Sequence, residues 1–133
     1  MTTAYSKFDQ LKWLLLDEAG ASEGVGVAYG AAKLFLPDYG MDELERIVCV
    51  ALLVLHEDGL VRFFYASWDD GYGLDAERFP SLSRDEIERE LASADVIDAP
   101  NTVLFFVETK KGAEHFSRLP PGAVPRTSGK IRR

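Results

Sequence analysis

Apolar positions in the first segment recur at helical spacing. Phe8, Leu11 and Leu15, joined by Leu14, fall on one side of residues 7–18. Ser6 stands where a helix cap belongs, Asp9 lies in the first turn, and Gly20 follows as a stop. Residues 20–30 are small and glycine-rich and predict a loop, and residues 31–36 read as a short helix closed by Pro37. After a turn at 38–40, Asp42, Glu43 and Glu45 charge the start of a third helix favourably for its dipole. Its residues 47–55 are uninterruptedly apolar, and Gly59 closes it.

The period then changes from helical to alternating. In residues 60–66, Val61, Phe63 and Tyr65 share one face, with Arg62 and Phe64 on the other. In residues 102–109, Val103, Phe105 and Val107 alternate with Leu104, Phe106 and Glu108, so these two strands are expected to pair. A long insertion separates them. It opens as a loop around Trp68, Asp69, Asp70, Gly71, Tyr72 and Gly73, and Ser83 with Glu86 forms a capping box for a fourth helix reaching about Ala92. Residues 110–119 read as a last short helix. Pro120, Pro121, Gly122 and Pro125 then lead into a flexible basic tail, which gives one domain over 1–119 and a tail over 120–133.

Three helices, a strand, an insertion and a second strand form an order that resembles the winged helix-turn-helix family. Two stretches carry the resemblance. "LHEDGLVRFFY", residues 55–65, is similar to the passage in which a helix ends at a glycine and the wing begins, and "VETKKGAEHF", residues 107–116, is similar to the passage from the second wing strand into a final helix. The resemblance implies an α+β, winged-helix-like fold: three N-terminal helices, a two-stranded antiparallel wing with a long helical insertion, and a short C-terminal helix. The insertion departs from the family, in which the wing tip is only a few residues long. The resemblance also implies a DNA-binding transcriptional regulator, dimeric, with Arg62, Lys110, Lys111, Arg126, Lys130, Arg132 and Arg133 available to phosphates.

Charge changes that picture. Residues 1–109 hold eight Lys and Arg against 21 Asp and Glu, whereas residues 110–133 hold seven bases against one acid. The body is acidic and the tail basic. The third helix opens with three carboxylates and only Arg46 in opposition, so it lacks the donors that read base edges. With Ile47, Val48, Ala51, Leu52 and Leu55 assigned to the core, Val50 and Val54 fall on the opposite face. That face is either a partner or dimer surface, or it is covered by the fourth helix or the insertion. Trp68, Tyr72 and Phe79 are likewise either anchors for a partner or groups that fold back onto the sheet.

Other chemistries find little support. The 133-residue chain is 47% hydrophobic, enough for one core, and its longest apolar run is far shorter than the roughly 20 residues of a membrane span. The N-terminus lacks the layout of a signal peptide, and the single cysteine, Cys49, allows no internal disulfide, so a cytoplasmic location is expected. The glycines at 24, 26 and 30 are spaced one residue too long for a dinucleotide-binding loop and follow an acidic helix end in place of a strand. His56 and His115 are far apart, which gives no metal-ligand spacing; His56 suits the dipole at the end of the third helix. No catalytic, cofactor or metal residue is assigned. The expectation is a non-enzymatic protein-interaction or regulatory module that binds another protein or its own copy; the alternative is the DNA-binding regulator.

Overall fold

In the computed structural model, which describes residues 5–20, 23–67, 76–92, 102–120 and 122–125, Ser6 caps the first helix as its position predicts. Its hydroxyl accepts from the Asp9 N–H at 3.0 Å, and α1 runs Lys7–Ala19. Leu11, Leu14, Leu15 and Leu16 are all buried along it. A two-residue strand, β1 (Glu23–Gly24), leads directly into α2 (Val25–Phe35). This corrects the expected loop: the segment holding Gly26 and Gly30 is helical. Each interior glycine costs a helix up to about 1 kcal/mol relative to alanine. Complete burial of Val25, Ala28 and Ala32 against the core offsets that cost and sets the helix where local propensity would not.

The third helix, α3 (Met41–Glu57), ends by a mechanism that requires glycine. Gly59 takes a φ of 75°, its N–H donates to the His56 carbonyl at 2.9 Å, and the Leu60 N–H donates to the Leu55 carbonyl at 3.0 Å. These two bonds form a Schellman closure that turns the chain straight into β2 (Val61–Ser67). After a 3₁₀ turn at Ala76–Arg78 comes α4 (Arg84–Leu91), whose capping box is formed as its sequence predicts. The Ser83 N–H donates to Glu86 Oε1 at 3.0 Å, and the Glu86 N–H donates to Ser83 Oγ at 3.2 Å. β3 (Thr102–Glu108) and α5 (Lys110–Ser117) complete the fold.

The architecture is α+β, with five helices among the described residues around a small antiparallel sheet. The expected pair forms, from Val61 opposite Glu108 to Ser67 opposite Thr102. Glu23 and Gly24 add a short third strand opposite Phe106 and Phe105, so β3 is central. Alternation along the pair sends successive phenylalanine rungs to opposite faces. Phe63 and Phe106 stack at 6.1 Å inside the main core formed with the helices. Phe64 and Phe105 stack at 5.7 Å on the other face, beside Ala66 and Val107.

The insertion returns along the outer edge of β2. The Leu82 N–H donates to the Phe63 carbonyl at 2.9 Å, and Phe79 stacks on Phe64 at 5.4 Å. That position of the edge is thereby taken by the chain itself. From there α4 packs on α3 through buried Ile87 and Leu91. Arg84 at the start of α4 meets Glu57 at the end of α3 at 3.3 Å, while Leu91 borders Cys49 further back, so the two helices run in opposite directions.

Candidate functional site: the outer face of the third helix

The buried side of α3 consists of Leu44, Val48, Ala51, Leu52 and Leu55. Leu44 thus joins the expected core set, while Ile47 is only half-buried. The opposite side is left uncovered over the N-terminal half of the helix. Val50 is 46% exposed and Met41 is 64% exposed, with Leu34 on α2 at 53%. Val54, assigned with Val50 to the outer face, is half-buried. The aliphatic stripe is therefore divided: Val50 faces outward, and Val54 belongs partly to the packed body.

Val50 stands as a ridge between two shallow depressions. The first, of about 380 Å³, is lined by Phe8, Tyr39, Glu43, Arg46 and Ile47 with Val50. Lys33 helps shape it, because its ammonium donates to the Tyr39 and Pro37 carbonyls at 3.2 and 3.4 Å and braces the turn that carries Tyr39. The second, of about 390 Å³, lies toward α4 and is lined by Asp42, Glu45, Arg46, Cys49 and Leu91 with Val50. Asp42, Glu43 and Glu45 outnumber Arg46 on this surface, and none of the four forms an ion pair among the described residues. Sequence reasoning missed Phe8, Tyr39 and Leu91 as parts of this face. Phe8 and Leu91 carry the same apolar signal as core residues, and nothing local places Tyr39 beside α3.

The groups that could do chemistry are quiet. Burial, with Glu88 nearby, pushes the Cys49 thiol above its ordinary pKa, which keeps it protonated and a poor nucleophile at neutral pH. His56 Nδ1 is buried without a hydrogen-bond partner, and the ring packs edge-on to Phe63 at 6.0 Å. Burial and then the Arg84 charge push its pKa below the usual histidine value. The lowered pKa favours the neutral ring at neutral pH, so His56 adds little charge to the dipole at the end of α3. Among the described residues no group of His, Cys, Asp and Glu is arranged to hold a metal ion, and no helix is long and apolar enough to cross a membrane.

The other candidate residues separate into three groups. Phe79 folds back onto the sheet, where it stacks on Phe64. Arg62 lies beside it: its guanidinium sits 5.2 Å from the Phe64 ring centre and donates to the Phe79 carbonyl at 3.0 Å and to Ser81 Oγ at 3.1 Å. Those bonds hold the insertion to β2. Lys110 and Lys111 are exposed in the first turn of α5. Trp68, Tyr72, Arg126, Lys130, Arg132 and Arg133 lie outside the described residues. Comparison with protein-family models, with curated proteins and with solved structures finds no match to the chain.

Proposed function

We propose that this chain is a non-enzymatic docking module of winged-helix type, in which the outer face of α3 receives a protein partner carrying an aliphatic anchor flanked by bases. The order of elements supports the winged-helix reading: three helices, α3 running through Gly59 into β2, and β3 running through Thr109 into a final helix. One observation carries the functional reading. Val50 is exposed between two depressions, and Asp42, Glu43 and Glu45 surround it. Burying an aliphatic side chain stabilises a complex by roughly 1.5 kcal/mol or more, and complementary charge speeds encounter and rejects wrong partners. The same carboxylates oppose a phosphate backbone, and the face has no row of Arg, Lys, Asn or Gln to address bases.

Selection from a displayed peptide library tests the reading. Wild-type protein should enrich peptides with one aliphatic residue between basic ones, and Val50→Asp should lose them. Equal enrichment by the variant would remove α3 from the interface. Titration of duplex DNA at low and high salt addresses the DNA-binding regulator: tight binding that weakens steeply with salt, lost on replacing Lys110 and Lys111, would favour that regulator instead.

A further inference from the structure

Among the charged residues that line the two depressions Arg46 is the one cation, and like Val50 it borders both. It is exposed and forms no ion pair among the described residues, although Asp42 and Glu43 stand one turn before it on the same helix. Along α3 the surface therefore runs in a fixed order: carboxylates at Asp42, Glu43 and Glu45, a guanidinium at Arg46, an aliphatic ridge at Val50. A partner that carried only bases around its anchor would press one of them onto Arg46 and cover two like charges together, a costly arrangement. We propose that Arg46 sets the register of docking on α3 by pairing with a carboxylate that the partner carries at a fixed distance from its aliphatic anchor. The inference rests on the reading of α3 as a docking face and adds to it one specificity-determining residue.

The helix sets the distance. Arg46 precedes Val50 by one turn of α3, which places the two on the same side of the helix about 6 Å apart along its axis. A partner lying extended along α3 spans that length with about two residues, and one lying as a helix spans it with about four. The carboxylate is therefore expected roughly two positions from the anchor in an extended partner and three to four positions from it in a helical one. A carboxylate suits the site because the planar guanidinium can hold both of its oxygens at once. Asp42, Glu43 and Glu45 select the partner's bases, and the single reversal of sign at Arg46 separates the correct register from a slipped one. A slip of one turn toward the start of α3 would bring the partner's acid against Asp42, a like charge, and its aliphatic anchor over Arg46.

The test is selection of displayed peptides at low salt on the wild-type chain and on Arg46→Glu. The wild-type pool should hold Asp or Glu at one fixed offset from the aliphatic residue, and the Arg46→Glu pool should hold Lys or Arg at the same offset. One peptide from the wild-type pool, synthesised with its acid reversed to Arg, should bind wild type roughly 3–10-fold more weakly than its parent does. The same reversed peptide should bind Arg46→Glu about as tightly as the parent binds wild type. Arg46→Gln, which introduces no new charge, should weaken the parent peptide in the same direction. Anchored peptides enriched without an acid at a fixed offset, or an acid retained in the Arg46→Glu pool, would overturn the proposal and leave the docking face standing. Enrichment of no aliphatic-anchored peptide by the wild type would overturn both.

Discussion

The Thr109 hydroxyl donates to the Gly59 carbonyl at 2.6 Å across 50 positions of sequence, and the same oxygen accepts from the Gly112 N–H at 3.0 Å. One side chain thus caps α5 and ties it to the turn that ends α3. The Thr109 N–H adds a bond to the Leu60 carbonyl at 3.0 Å. Thr109→Val keeps the shape and removes both hydroxyl bonds, so it should lower stability by about 1–2 kcal/mol, as read from urea unfolding.

Two glycines inside helices should respond to alanine with opposite signs. At Gly112 an added methyl would overlap the Leu60 carbonyl oxygen, backbone that cannot swing aside. Gly112→Ala should therefore cost roughly 2 kcal/mol or more despite its better helix propensity. At Gly30 nothing lies within 4 Å of the new carbon. Gly30→Ala should raise stability by about 0.5–1 kcal/mol, and thermal melts of the two variants check both.

His56 makes stability depend on pH near neutrality. Its folded pKa lies below the ordinary histidine value of 6.5, so just below that value the unfolded chain binds more protons than the native one. The favourable balance is complete above about pH 6.5 and is lost as pH falls through the folded pKa. Melting temperature should fall between pH 7 and 5 in the wild type and fall less in His56→Gln. Glu86 acts in a separate, lower window: the Ser83 N–H holds its carboxyl below the ordinary value of 4.5, and that support disappears as the carboxyl protonates.

Val50→Asp should lower the unfolding free energy by only about 1 kcal/mol or less, because nearly half of the side chain is already exposed. Leu52→Ala, on the buried side of the same helix, should cost about 2–5 kcal/mol. Equal and large losses in chemical denaturation would assign Val50 to the core and remove the face.

Signals confined to a few adjacent residues were legible in the sequence. Ser6, Gly59 and the Ser83–Glu86 pair act through bonds that close within a few positions, and each does what its residue type predicts. The paired strands were legible because alternation repeats over both. The onset of α2 was not, because glycine-rich residues become helical there only once Val25, Ala28 and Ala32 are buried by distant elements. β1 was equally hidden, since two residues acquire strand geometry by pairing with Phe105 and Phe106 far along the chain. At the candidate site, Val50 could be read from helical periodicity. Its separation from Val54 depends on how the body packs, which one helix taken alone does not specify.

The covered edge of β2 narrows how this molecule can be recognised. With the Leu82 N–H already on the Phe63 carbonyl, an incoming strand finds that position taken, and on the far side β1 offers only two residues to copy. Main-chain pairing at that position, and the polymerisation that an open sheet margin invites, are disfavoured there. Recognition through side chains instead would place selectivity in individual residues, where single substitutions can redirect it.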